Sequence, residues 1–339
     1  MLPTQQPYLR ADALLSVRNL SVVFRRGQQT LEAVAGVSFD VRRGETVGLV
    51  GESGSGKTTT GRAILRLLPK ANSSMSGTIT FSGQDVQAMP AEQLRAARRH
   101  LQMIFQDPMS SFNPRRTVSD IVAEGLVIHG VDRTEIATRV DSALNDVGLS
   151  AALVGGRRPH QLSGGQSQRV AIARVLALQP DLIVCDEPVA SLDVSVQAQV
   201  INLLHEIRET KRLALIFISH DLAVVRHISD RVAVMYMGKI VEIGEAEHVF
   251  SRPAHPYTWK LLEAVPVPEA SVKLRPASVG TEIPSPANPP SGCRFRTRCP
   301  RARELCADVE PPLRPMPHGQ FAACHFPHEE PAPTPLSAG

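Results

Sequence analysis

No apolar run in these 339 residues approaches the roughly 18–20 consecutive residues a helix needs to cross a bilayer. The longest, Leu213–Ile218 and Val232–Met237, are strand-sized and bounded by polar residues, so any membrane role has to come through a partner. The first stretch carries Arg10 and Asp12 and lacks an apolar core of signal-peptide type, which gives the expectation of a cytosolic protein. Excess charge is missing too. A net charge of +4, with no Lys/Arg stripe, argues against a nucleic-acid partner and reads as an ordinary solvated surface. No internal repeat is present. Disulfides are not expected, because the five cysteines would sit in a reducing compartment. What remains, 42% hydrophobic and 21% charged residues, is the composition of a globular chain long enough for one large or two modest domains.

Proline divides the chain. Sixteen of its 27 prolines lie between Pro266 and Pro335, so a compact body is expected to end near Val265 and a loop-rich, cysteine-bearing extension to follow over residues 266–326. Residues 327–339 read as a disordered tail. Within the body, Leu15–Phe24 and Val37–Val41 alternate apolar and polar as half-buried strands do. Thr46–Val50, Leu182–Cys185 and Leu215–Ser219 are apolar almost throughout, as strands covered on both faces should be. Each of these three runs into a polar or glycine-rich turn and then a helical stretch, the α/β pattern that places ligands at the carboxyl ends of the strands. Val118–Arg158 has helical periodicity and no strand signal, and reads as a helical insertion, bounded at about 107–160.

Directly after the strand TVGLV come Gly51, Glu52, Ser53, Gly54, Ser55, Gly56, Lys57, Thr58 and Thr59, with the spacing of a phosphate-binding P-loop. A strand precedes it and a helical stretch, Thr58–Leu68, follows. The glycines let successive N–H groups turn inward onto phosphate oxygens at the positive end of a helix. Lys57 would neutralise the β and γ phosphates, and the Thr58 hydroxyl would ligate Mg²⁺.

Ser163, Gly164, Gly165 and Gln166 open a second helical stretch, Ser167–Leu178. With no lysine and no strand leading in, this is either an N-cap alone or an anion-binding helix start that closes over a γ-phosphate held by another molecule. The nearby strand Leu182–Cys185 favours the second reading, because it ends in Asp186 and Glu187. Two carboxylates at that strand end suit metal handling by Asp186 and water activation by Glu187. A third strand ends at His220, which in this company is assigned to the γ-phosphate and the attacking water.

In this order the motifs resemble the ATP-binding cassette (ABC) ATPases: the Walker A loop Gly51–Thr59, Gln106 in IFQDP, LSGGQ at Leu162–Gln166, Walker B ending at Asp186 and Glu187, Asp193 in the D-loop, and His220. The resemblance runs from about Leu15 to Glu263. It implies an α/β P-loop NTPase fold over residues 13–265, with a mixed sheet core, an antiparallel β subdomain and the helical insertion. It also implies ATP and Mg²⁺ as ligands, the metal held through Thr58, Gln106 and Asp186, with Glu187 and His220 catalytic. Two subunits would pair head to tail, the signature Ser163–Gln166 of one acting on ATP held by the other. Phe24 on the first strand is the candidate to stack on adenine, with a place in the core as its alternative. Ser167 departs from the family, where a basic residue often follows the signature; no catalytic assignment rests on it.

Finer features, Gln102–Arg115, Val184–Gln199 and the sequence HPYT at His255–Thr258, look like the oligopeptide/dipeptide/nickel importers, closer to the F-type partner than to the D-type. That implies an ATPase subunit at the cytoplasmic face of the cell membrane, energising uptake of oligopeptides, dipeptides or similar small solutes through two separate permease subunits. A related D-type chain would be the second ATPase, and a solute-binding protein would act indirectly. A soluble non-transport ABC ATPase, or an importer of nickel or glutathione, are the alternatives. The extension resembles one that this branch carries. Cys293, Cys299, Cys306 and Cys324 lie in a segment too poor in apolar residues to fold without a cross-link. Their spacing alone leaves zinc, with His325 as a further ligand, and iron–sulfur both open; the resemblance points to a 4Fe–4S cluster.

Overall fold

A computed structural model describes residues 8–10, 12–27, 29–264, 285 and 287–328. The first proline-rich linker and nearly all of the expected tail at 327–339 lie outside the described residues. Strands β1 (Leu15–Arg26) and β2 (Gln29–Val41) form an antiparallel pair. β3 (Thr46–Val50) is buried at every position, as its unbroken apolar run requires. Helix α1 (Lys57–Ile64) follows, then β4 (Ser73–Phe81), which pairs antiparallel with β1, and the short β5 (Gln84–Asp85). These close a four-stranded sheet in the order β2-β1-β4-β5. Leu15, Val17, Leu20 and Val22 of β1 are buried in its core.

Helix α2 (Ala91–His100) leads into β6 (Leu101–Ile104). From there to Leu182 the chain is helical, with no strand: α3 (Pro108–Ser111), α4 (Val118–Ile128), α5 (Arg133–Asp146), α6 (Ala151–Val154) and α7 (Gly164–Leu176). α4 starts where it does because Thr117 and Asp120 form a reciprocal capping box. Its buried Val118, Ile121, Val122 and Leu126 repeat at helical spacing and face α5 and α7.

The chain then alternates as β7 (Leu182–Asp186), α8 (Val194–Lys211), β8 (Ala214–Ile218), α9 (Leu222–Ile228), β9 (Arg231–Tyr236), β10 (Lys239–Glu245), α10 (Ala246–Ser251) and α11 (Pro256–Glu263). In the extension, α12 (Leu305–Asp308), β11 (Arg314–Pro315) and β12 (Phe321–Ala322) follow. The large sheet has the order β11-β12-β10-β9-β3-β8-β7-β6, with β9, β3, β8, β7 and β6 mutually parallel and β10 antiparallel. It is the expected mixed sheet.

The extension joins this body rather than trailing from it. β12 pairs with β10 through Glu242–Ala322 and Ile243–Phe321, and Ala323 N–H donates to Val241 at 2.8 Å. Phe295 is fully buried against Tyr236 and Tyr257, ring centroids 5.2 and 5.3 Å away, a burial that stabilises by about 1.5–3 kcal/mol. Glu242, also fully buried, accepts from the N–H groups of Ala254 and His255 at 2.8 and 2.9 Å. Burial pushes its pKa up to about 7, against the pull of those donors. The carboxylate thereby fixes the loop that enters α11.

Candidate functional site

The loop Gly51–Gly56 turns between β3 and α1, at the carboxyl end of the parallel strands. Two glycines are dictated by space and backbone. Gly51 has φ +147°, and a Cβ there would lie 2.1 Å from the Met235 carbonyl; Gly56 has φ +103° and would meet the Ala33 carbonyl at 2.4 Å. Lys57 is buried, and its Nζ donates to the carbonyls of Gly51 at 2.7 Å and Glu52 at 3.0 Å. Desolvation lowers its pKa, while the carboxylates of Glu187, Asp186 and Glu52 act in the opposite direction. The ammonium is thus held at the mouth of the loop among three acids.

The end of β7 supplies the carboxylates. Asp186 accepts a 2.7 Å hydrogen bond from the Thr58 hydroxyl; burial raises its pKa, and the Thr58 bond lowers it. Glu187 sits at φ +49°, a left-handed conformation unusual for a side chain of this size. That turn aims its carboxylate to accept from Gln106 Nε2 at 3.1 Å, with His220 Nδ1 3.4 Å from the other oxygen. Lys57, Thr58, Gln106, Asp186, Glu187 and His220, from four separate stretches of chain, therefore share one site. This cluster can hold a polyphosphate, a divalent cation and a water aligned by a carboxylate.

The signature stands apart. Ser163 caps α7 and forms a reciprocal box with Gln166, both bonds 3.2 Å. The helix therefore starts three residues ahead of the stretch read from periodicity. Ser163 and Gly164 face solvent, and a Cβ on Gly165 would meet Val196 at 2.6 Å. α8 thus packs directly behind the signature, and Leu192 of the D-loop lies against Gly164, where a Cβ would be 3.5 Å from it, with Asp193 exposed at the cap of α8. Phe24 is half-buried on β1, opposite Leu31 and Ser73, and packs against the core of the small sheet.

Two contacts on the P-loop, and a further one between the extension and the cassette, were not anticipated. The Glu52 N–H donates to the Tyr257 hydroxyl at 2.8 Å. Arg298, in the extension, donates to both Glu52 oxygens at 2.7 and 2.8 Å. Arg294 bonds Glu32 at 2.6 Å and the Met237 carbonyl. HPYT had marked Tyr257 without giving it a role; nothing local marks Arg298. Nearby, Cys293, Cys299, Cys306 and Cys324 line one small cavity together with His255, Phe295 and His325. Burial raises the thiols of Cys293 and Cys299 and pushes that of Cys324 up to about 12. Among the described residues, no three His, Cys, Asp or Glu side chains are arranged to hold a metal ion.

Fold and site together define a P-loop ATPase built as a nucleotide-binding cassette. Known proteins agree. Residues 34–190 match the family model described as ABC transporter, and residues 241–306 match the oligopeptide/dipeptide transporter C-terminal region. A Brucella ovis protein named for peptide import and ATP binding is 50% identical over 92% of this chain and 97% of its own. The oligopeptide transport ATP-binding protein AppF of Bacillus subtilis is 48% identical over 90% and 93%. Among solved structures, CbiO1 of Clostridium perfringens, part of the ABC transporter complex CbiONQ, superposes with a TM-score of 0.62 at 30% identity, covering 70% of this chain and 91% of that one. The MJ0796 cassette, a dimer bound to ADP and phosphate, gives 0.61 at 26% identity, covering 68% and 98%. The chain belongs to the ABC transporter family, in the branch that carries the oligopeptide/dipeptide C-terminal region, and is one of its ATP-hydrolysing subunits.

Proposed function

We propose that this subunit energises the uptake of oligopeptides or dipeptides through a separate permease, as one half of a head-to-tail ATPase pair whose other half is a related D-type chain. The observation that carries the reading is a complete P-loop site joined in one chain to a C-terminal region of the peptide-transporter type. The P-loop N–H groups and Lys57 bind the phosphates of ATP. Mg²⁺, when bound through Thr58, Gln106 and Asp186, neutralises phosphate charge. Glu187 polarises the attacking water and His220 orients it toward the γ-phosphate. The solvent-facing Ser163–Gln166 start of α7 caps the ATP of the opposing subunit, and Asp193 lies at that seam. Phe24 stacks on adenine.

No helix among the described residues is long and apolar enough to cross a membrane. On this reading the subunit works at the cytoplasmic face of the membrane by docking to its permease. Exposed Met109, three positions after Gln106, and Val127, Ile128 and Leu153 further along the helical insertion offer apolar side chains to permease helices. A solute-binding protein acts one step removed. Purification from native membranes should bring down two permeases and a second ATPase, identified by mass spectrometry. Recovery of this chain alone, in the soluble fraction, would instead favour a non-transport ATPase.

The cysteine cavity belongs to the same proposal. Four thiols line it and two histidines adjoin it, a donor set that fits a 4Fe–4S cluster bound by Cys293, Cys299, Cys306 and Cys324. A single zinc ion needs its ligands drawn in to about 2.3 Å, whereas a cluster spreads its thiolates over separate irons, which suits cysteines that line a cavity without converging on one point. Thiolate ligation would release protons on binding, and the cluster would pin the extension to the cassette. Anaerobic purification should yield about four irons per chain, lost in Cys324→Ser. Stoichiometric zinc without iron would overturn the assignment.

A further inference from the structure

Glu52 brings a negative charge into a loop whose task is to hold phosphate. Its carboxylate is met by a two-pronged guanidinium from Arg298, at 2.7 and 2.8 Å, and both side chains are largely buried. That cation comes from 246 positions further along the chain, in the extension. It is held in place: the Arg298 guanidinium lies over the rings of Tyr236 and Phe295, 5.8 and 6.0 Å from their centroids. The Arg298 N–H donates to the Phe295 carbonyl at 3.0 Å. Tyr257, packed on Tyr236 at 4.6 Å, fixes the backbone of Glu52 from the other side. Arg–carboxylate pairs of this geometry are strong and orient both partners.

We propose that Arg298 is a positioning residue of the nucleotide site: by neutralising and orienting Glu52 it makes the C-terminal extension part of the phosphate cradle, so that ATP affinity depends on the extension being docked. Without it, an unpaired carboxylate stands beside the incoming phosphates and competes for Lys57, whose charge already feels Glu52. Because Arg298 is the immediate neighbour of Cys299, a rearrangement at the cysteine cavity reaches the P-loop through one peptide link. The inference rests on the reading that the P-loop holds ATP.

Equilibrium titration of the full-length chain with a fluorescent ATP analogue and Mg²⁺ tests it. Arg298→Ala should weaken binding about tenfold, equivalent to about 1.4 kcal/mol, and Arg298→Lys should fall between it and the wild type. Removing the stranded charge, in Arg298→Ala/Glu52→Gln, should recover most of the loss, which a variant that had merely misfolded would not do. Arg296→Ala, whose guanidinium bonds Ser291 within the extension among the described residues, should bind as the wild type. Wild-type affinity in Arg298→Ala, or a double variant as weak as the single, would overturn the proposal. Loss of nucleotide binding by the wild-type chain would instead remove the ATP reading itself.

Discussion

Glu187→Gln is expected to lower ATP turnover by about 10²–10⁴-fold, the scale of a lost general base, while the assembled transporter still binds and retains ATP. The substitution keeps shape and backbone: the Glu187 N–H that donates to the Ile218 carbonyl at 3.0 Å is untouched, and the amide can still meet Gln106 and His220. Only the negative charge that polarises water is gone. Binding rests on other groups, the P-loop N–H donors, Lys57 and the Thr58–Asp186 pair. Steady-state hydrolysis and nucleotide retention, measured in the same preparation, separate the two effects. Near-normal turnover with both ATPase subunits substituted at this position would remove Glu187 from the mechanism.

Lys57→Ala should act on the other side of that division, weakening ATP binding on the order of 100-fold, or about 2.7 kcal/mol. The lost ammonium is the counter-charge to the incoming phosphates, and its removal also leaves Glu187 and Asp186 facing them uncompensated, Glu52 being held by Arg298. Charge-assisted bonds of this kind contribute about 1.5–3 kcal/mol each. The same titration used for Arg298 measures it. Binding within a few-fold of the wild type would mean that the backbone cradle, rather than Lys57, holds the triphosphate.

How much of this was legible in the sequence depends on how local the cause was. β3, β7 and β8 announced themselves because strands buried on both faces are apolar throughout, and the P-loop did because its spacing is contiguous. The carboxylates at 186 and 187 could be placed from the strand that carries them. β4, by contrast, begins Ser-Ser-Met-Ser-Gly-Thr and gives no strand signal; it is a strand because β1 pairs with it, and it crosses β1 at Gly77, where a Cβ would lie 2.4 Å from the Asn19 carbonyl. The first half of β2, with exposed Gln29 and Thr30, is likewise fixed by its partner. The docking of the extension depends on two-residue strands and on ion pairs such as Arg298–Glu52 and Arg294–Glu32. Such pairs leave no periodicity to read.

The central claim, that ATP hydrolysis at this site drives peptide import, is tested most directly by reconstituting the subunit with its co-purified permeases and second ATPase in proteoliposomes. Uptake of a labelled oligopeptide, presented with the solute-binding protein, would then be followed. The account predicts accumulation only with ATP and Mg²⁺ on the side facing this subunit, and its loss when Glu187→Gln is introduced. Uptake that proceeds without ATP, or that is unchanged in the variant, would contradict it.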